Sequence, residues 1–158
     1  MQISETEQER RRFCPLVTLT IELGFAVVGE WIFATCRTKL DCPSEGIGAN
    51  RNPSVYIIAS VDAGNDATVL YVGKASNGWR NRRLPHIGNR DRRFHYEIEQ
   101  ELRADRKVLV LEKASGWIVH AGFRASTNDP EEAALMARFC PPINKPSDVG
   151  RALRFQIP

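Results

Sequence analysis

Tyrosines, basic residues and one glutamate follow one another along this chain in an order suited to the hydrolysis of a phosphate ester. Tyr56 and Tyr71 come first, and Glu132 comes last. The basic side chains between them include Lys74, Arg80, Arg82, Arg83, His86, Arg90, Arg92, Arg93 and His95. Such hydrolysis requires a group that activates water, a cation beside the phosphate and usually a metal ion. The chain offers candidates for all three tasks.

The distribution of charge also favours a phosphate-rich partner, although the net charge is only +3. Arginines and lysines are concentrated between Lys74 and Arg106, and most acids of that stretch come only from Glu97 onward. A nucleic-acid-binding surface has this pattern. A solvated surface that binds nothing has it as well, so charge alone leaves both interpretations open.

Several of these candidates have simpler structural interpretations. A tyrosine in a strand is usually part of the core, and a glutamate three residues after an N-cap usually binds backbone N–H groups in a capping box, which Asp129 and Glu132 would form. His95 is suited equally to a phosphate ligand and to a surface or capping residue. Trp79 and Trp117 are more typical of core or sheet-edge positions than of platforms for base stacking.

Length and composition predict one folded domain. The chain has 158 residues, of which 42% are hydrophobic and 26% charged, as in ordinary globular proteins. No apolar run is long enough to span a bilayer, and the charged N-terminus lacks a signal-peptide core, so we expect a cytoplasmic protein without a membrane partner. Cys14, Cys36, Cys42 and Cys140 have no metal-site spacing and are predicted to be reduced thiols.

The N-terminal third predicts a helix, a strand and a loop. A polar, loosely helical start precedes the apolar run of residues 16–25, where Gly24 is a helix stop. Residues 25–34 have the β-branched and aromatic composition of a strand, and residues 36–54 have that of a loop.

The middle of the chain predicts a hairpin, two helices and more strands. Residues 54–60 and 68–73 are apolar and flank a turn at residues 62–66. Apolar residues four apart then predict one helix around Trp79, Arg83 and Ile87, and another around Phe94, Ile98 and Leu102. Residues 107–114 predict a third strand, and residues 116–122 a potential fourth.

The last clear element is a helix over residues 129–140. Asp129 is suited to its N-cap, Pro130 to its first position, and Pro141 and Pro142 to its end. The candidate acid Glu132 lies in the first turn of this helix.

These motifs together resemble the GIY-YIG nuclease family. Residues 54–56, Ser-Val-Tyr, stand where the family has Gly-Ile-Tyr, and residues 71–74, Tyr-Val-Gly-Lys, where it has Tyr-Ile-Gly-Lys. An arginine is expected eight or nine residues after Gly73, and Arg82 satisfies that spacing. The downstream family pattern matches Glu132, the apolar residues 135–136, Pro141 and Asn144.

The resemblance covers residues 54–144 and departs from the family in three places. Ser54 replaces the first glycine, the two tyrosines are a few residues further apart than usual, and Asn77 and Gly78 precede Trp79 as an insertion. The insertion leaves the arginine register open, with Arg82 as the first choice and Arg83 as the second.

The resemblance implies an α/β (α+β) fold with a small, mixed, largely antiparallel three-stranded sheet flanked by helices. We expect an N-terminal helix-strand-loop extension at residues 1–53 on the same domain, a nuclease core at residues 54–145 and a C-terminal tail at residues 146–158.

The resemblance also implies roles for the candidates. Glu132 would hold Mg²⁺ or Mn²⁺, and Arg82 would bind the scissile phosphate through a bidentate fork. Tyr71 or Tyr56 would position or deprotonate water, although a phenol that ionises near pH 10 is a weak base at neutral pH, so His86 is the alternative. Gly73 and Asn144 would be structural. The nucleic-acid-binding set would be Lys74, Arg80, Arg83, Arg90, Arg92, Arg93 and His95.

The function implied is a metal-dependent DNA endonuclease that leaves 5′-phosphate and 3′-hydroxyl ends. The small size of the chain favours a restriction-like or mobile-element nuclease. A homo-oligomer of such a nuclease could cut both DNA strands. The alternative is a nucleic-acid-binding module that retains the fold and cleaves little.

Overall fold

The computed structural model describes residues 3–34, 40–43, 52–79 and 92–154. The strands are β1 (Phe13–Pro15), β2 (Ala26–Phe33), β3 (Leu40–Asp41), β4 (Ser54–Val61), β5 (Asp66–Ala75), β6 (Lys107–Ala114), β7 (Trp117–His120) and β8 (Phe123–Ser126). The helices are α1 (Glu5–Arg11), α2 (Arg92–Arg103), α3 (Asn128–Phe139) and α4 (Pro146–Arg154), with a π-helical segment at Thr18–Glu22.

Six strands form the main sheet, in the order β1-β5-β4-β6-β2-β3. Every strand pair in the described ranges is antiparallel. The predicted three-stranded sheet is therefore wrong in its strand number. Its three strands are the central β5, β4 and β6, and β2 extends the sheet beside β6. The two outermost strands have only three and two residues, too few to form a hydrophobic pattern.

Strand β4 lies at the centre, and every one of its residues is buried. Val55, Ile57 and Ala59 face one core, which α3 helps to cover, whereas Tyr56 and Ile58 face a second core beneath α2. Burial on both faces explains why this strand is apolar throughout instead of alternating with polar residues.

The helix ends follow local chemistry at three sites, of which Gly24 and the end of α3 were predicted. Gly24 has a positive φ of 75° just after the π-helical segment, as expected for a stop. Helix α1 begins at its cap Ser4, whose hydroxyl accepts a hydrogen bond from the Glu7 N–H. Helix α3 ends at Phe139, followed by Cys140 in the left-handed conformation and then Pro141.

Several other expectations are corrected or lie beyond the described ranges. The loop over residues 36–54 contains the short strand β3, and the segment assigned as a tail contains α4, which packs against α3. The potential fourth strand is a separate hairpin, β7–β8. The helix predicted around Arg83 lies outside the described residues.

Two further observations concern the described ranges only. Cys14 and Cys140 are free thiols there, and Cys36 lies outside the described residues. No helix in these ranges is long and apolar enough to cross a membrane.

Candidate active site

Strand β5 and helices α3 and α4 enclose an open cleft of about 470 Å³. The lining residues that carry polar groups are Tyr71, Lys74, Asp129, Glu132, Asn144, Asp148 and Arg151. Four of these residues were predicted as site residues from the sequence: Tyr71, Lys74, Glu132 and Asn144. The fold thus brings together residues that are up to 73 positions apart in the chain.

The Glu132 carboxylate and the Lys74 ammonium are the central charged pair of this cleft. Lys74 Nζ lies 3.4 Å from Glu132 Oε2, and it also donates a hydrogen bond to the carboxylate of Asp129. The Glu132 side chain is only 18% exposed, and this burial raises its pKa while the nearby Lys74 opposes the rise. The hydrogen bond to Asp129 raises the pKa of Lys74, so the ammonium is held in its charged form.

The start of α3 differs from the prediction and explains why Glu132 faces the cleft. The N-cap is Thr127, and Asp129 lies inside the first turn with its carboxylate on Lys74. The neighbouring Glu131 lies beside this cap, where its carboxylate accepts hydrogen bonds from the hydroxyls of Thr127 and Ser115. The capping-box interpretation of Glu132 is therefore wrong.

The two tyrosines meet over a glycine. Gly73 is the cross-strand partner of Tyr56, and a Cβ placed there would lie 2.5 Å from Tyr56 Cζ and 2.7 Å from Tyr71 Cε1. The two phenol rings lie 5.9 Å apart between centroids. Tyr56 is fully buried, whereas Tyr71 is partly exposed and lines the cleft. Only a glycine leaves room for this arrangement.

Asn144 ties the loop after α3 to the edge of β5. Its side-chain amide accepts a hydrogen bond from the Val72 N–H at 2.9 Å and donates one to the Val72 carbonyl at 2.8 Å. The Ile143 N–H donates to the Leu70 carbonyl next to it. The amide therefore replaces a neighbouring strand and holds β5 beside the cleft.

The basic residues are only partly described. Arg80, Arg82, Arg83, His86 and Arg90 lie outside the described residues, and Arg92 is the first residue of α2. Arg93 donates to the Pro142 carbonyl at 2.7 Å, and the partly buried His95 contacts the rings of Trp31 and Phe94. Neither Arg93 nor His95 lines the cleft. The nucleic-acid role of these two residues remains a prediction.

Sequence reasoning missed Glu112, a buried acid on β6. Its carboxylate accepts hydrogen bonds from the Ser54 hydroxyl at 2.7 Å and from the Trp79 N–H at 2.8 Å. Trp79 itself is buried, which favours its core interpretation, and it leads directly into the segment with Arg80 and Arg82. A charged residue at an inward position of an apolar strand was the available signal.

The described residues suit a hard cation that keeps most of its water. No three His, Cys, Asp or Glu side chains among them cluster as a metal site. Mg²⁺ commonly binds through one or two carboxylates and retains water ligands. Glu132, with Asp129 and Asp148 along the same cleft, provides oxygen donors of this kind.

Comparison with known proteins identifies a fold. No protein-family model matches the chain, and no curated protein matches its sequence. Among solved structures, a glutamate-to-alanine mutant of bacteriophage T4 EndoII, a GIY-YIG nuclease, is similar with a TM-score of 0.63 at 19% identity. The match covers 84% of this chain and 100% of that chain. The chain therefore has a GIY-YIG-like fold, in which the cleft between β5 and α3 is the candidate active site.

Proposed function

We propose that this protein is a metal-dependent DNA endonuclease that leaves 5′-phosphate and 3′-hydroxyl ends, in a restriction or mobile-element setting. The observation that carries the proposal is the convergence of Tyr71, Lys74 and Glu132 in one cleft. The fold likeness to T4 EndoII supports the nuclease class.

Glu132 would hold one Mg²⁺ or Mn²⁺, which when bound neutralises charge on the phosphate and the leaving oxygen. The half-buried carboxylate is suited to this task because burial weakens the competition of bulk water. Lys74 provides local positive charge that opposes the rise in the Glu132 pKa, and it offers its ammonium to a phosphate oxygen when substrate arrives.

Tyr71 is the better candidate to orient the attacking water, since it lines the cleft while Tyr56 is fully buried. Tyr56 instead packs against the Tyr71 ring on the side away from the cleft. In the reaction, water attacks phosphorus, the bond from phosphorus to the 3′ oxygen breaks, and that oxygen takes up a proton. The attacking water gives its proton to the neutral imidazole of His86 or to Tyr71 in its phenolate form, and bulk water supplies the proton that the 3′ oxygen takes up. Arg82 would bind the phosphate and stabilise the transition state.

Two adjacent glutamates provide a matched test. Glu132→Gln should abolish Mg²⁺-dependent nicking of plasmid DNA while duplex binding persists, because the amide is a poor ligand for the cation. Glu131→Gln should weaken the hydrogen bonds from the Thr127 and Ser115 hydroxyls, cost about 0.5–1.5 kcal/mol of stability and leave nicking at 25 °C largely intact. Nicking is measured with Mg²⁺ and with EDTA.

Near-normal nicking by the Glu132 variant would contradict the metal-ligand role. A wild-type protein that binds duplex DNA and never cuts it would instead favour the nucleic-acid-binding module.

A further inference from the structure

Hairpin β7–β8 stands apart from the six-stranded sheet and exposes large apolar side chains. Val119 is 74% exposed and Phe123 is 79% exposed, and Trp117 and Ile118 are each about half exposed. The cross-strand register puts Trp117, Val119 and Arg124 on one face and Ile118, His120 and Phe123 on the other. Both faces are open, although a lone two-stranded hairpin is only marginally stable in water. This hairpin lacks a partner within the described residues.

The base of the hairpin is fixed to the helix that carries the candidate metal ligand. The Thr127 N–H donates to the Gly116 carbonyl at 3.0 Å. The Ser115 hydroxyl donates to Glu131, one residue before Glu132. The hairpin therefore starts at the first turn of α3, next to the cleft.

The tip is tight. Ala121 and Gly122 both have positive φ, of 49° and 79°, as the two central residues of a type I′ turn require. Such a turn joins the two strands directly, without a longer loop, so the apolar tip has a defined position.

The charged side chains of the hairpin region are all of one sign. No acidic residue occurs from Lys113 to Asn128, whereas Lys113, His120 and Arg124 are basic or titratable. The Arg124 guanidinium stacks 4.1 Å from the centroid of the Trp117 ring. A guanidinium that stacks on a ring uses its flat face. The N–H groups at its edge can then donate hydrogen bonds to a phosphate.

These features fit duplex DNA better than a second copy of the chain. A two-stranded ribbon fits the major groove, and proteins in the minor groove insert apolar wedges between base steps. A symmetric contact between two copies would bring the same cationic hairpins together. We propose that hairpin β7–β8 enters a groove of the duplex beside the cleft with its turn first, so that Val119 on one face and Phe123 on the other meet the bases near the turn and Arg124 reaches the backbone. This inference rests on the proposed nuclease function.

The test is duplex binding in EDTA by the full chain, followed by fluorescence anisotropy. Replacing Val119 and Phe123 together by Ser should raise the Kd by about tenfold or more, because both anchors are lost. Ile21→Ser is the matched control, since Ile21 is 76% exposed in the π-helical segment outside the hairpin, and it should bind like the wild type. In a second variant, Arg124→Met should reduce the slope of log affinity against log salt by about one.

A duplex that carries 2-aminopurine provides a readout of base contact. Its fluorescence should rise on binding the wild type and the Ile21 variant, and should not rise with the double serine variant. Single-turnover nicking with Mg²⁺ is measured on the same proteins.

The outcomes separate the two proposals. An active wild type with a double variant that binds and nicks equally well overturns the hairpin proposal and leaves the nuclease proposal intact. A wild type that binds duplex through the hairpin without nicking overturns the nuclease and leaves the hairpin. A wild-type dimer that the double variant converts to a monomer, with unchanged DNA affinity per chain, assigns the hairpin to a second copy and overturns the proposal.

Discussion

Glu132 and Lys74 meet in the cleft, and their titration links the site to the stability of the metal-free protein. Burial raises the pKa of Glu132 above its ordinary value of 4.5, so the folded state binds this proton more tightly than the unfolded chain does. The resulting stabilisation is present below the ordinary pKa and is lost as pH rises through the raised pKa. Glu132→Gln has no such titration. In EDTA, we therefore expect the variant to gain stability relative to the wild type across that pH range.

Urea denaturation at a series of pH values measures this gain as the difference between variant and wild type. The measurement is repeated with Lys74→Met present in both proteins. The stability difference should then keep changing up to a higher pH, because Lys74 lowers the pKa of Glu132. A difference that does not change with pH would contradict the burial of the ionised carboxylate.

At the residue scale, sequence motifs predicted the members of the cleft and not their contacts. Tyr71, Lys74 and Glu132 converge as the motif order implied. Glu112 was missed because its role depends on the register of β4 against β6, which places Ser54 beside it across 58 residues of chain. The cap of α3 was misplaced because Thr127 and Asp129 are both good capping residues, and the hydrogen bond to Gly116 that selects Thr127 is tertiary.

At the element scale, β5 depends on a glycine that Tyr56 covers. Gly73→Ala would place a methyl group 2.5 Å from the Tyr56 ring, and neither the buried ring nor the central strand has room to move. We expect a loss of about 1–3 kcal/mol of stability, as for other overpacked cores. Single-turnover cleavage should also fall because Tyr71 is displaced with its partner.

Gly150→Ala is the matched control for this substitution. A Cβ at Gly150 meets nothing within 4 Å, and the residue lies inside α4, where alanine is favoured by about 1 kcal/mol over glycine. This variant should be as stable as the wild type or more so in urea denaturation. Equal stability of the Gly73 variant and the wild type would show that the tyrosines can shift at little cost.

Elements with a strong hydrophobic pattern were predictable, and short ones were not. Each of these predictable elements, β2, β4, β5, β6 and α3, spans eight or more residues. Strand β1 exists because Phe13–Pro15 pairs with the edge of β5, a contact that no local pattern encodes. Strand β8 was missed because its partner β7 leaves both faces exposed, so FRAS lacks the alternation of a half-buried strand.

At the scale of the whole molecule, the segment after the first helix meets the end of α3. Arg11 and Arg12, after the first helix, donate to the carbonyls of Ala137 and Cys140 at the end of α3. These bonds orient the helix that carries Glu132. They link residues more than 120 positions apart, and arginines that cap a distant helix cannot be told from surface arginines by sequence alone.

The arginine-rich stretch before and within α2 allows a last prediction, on how the whole molecule binds DNA. Each phosphate contact that is lost should reduce the slope of log affinity against log salt by about 0.9. Replacing Arg90 and Arg92 by Ala should therefore lower the slope by about two and weaken binding equally for all sequences. Arg93 is left unchanged, because its bond to the Pro142 carbonyl would confuse binding with stability.

The control is the double replacement of Arg10 and Lys107 by Ala, which removes the same charge from exposed positions on α1 and β6. Anisotropy titrations of a fluorescent duplex in EDTA, at a series of salt concentrations, compare the two double variants. If net charge alone governed binding, both would change the slope alike. A larger reduction of the slope for the Arg90 and Arg92 pair than for the control would show that these arginines contact phosphates, whereas equal slopes for that pair and the wild type would make them a solvated surface.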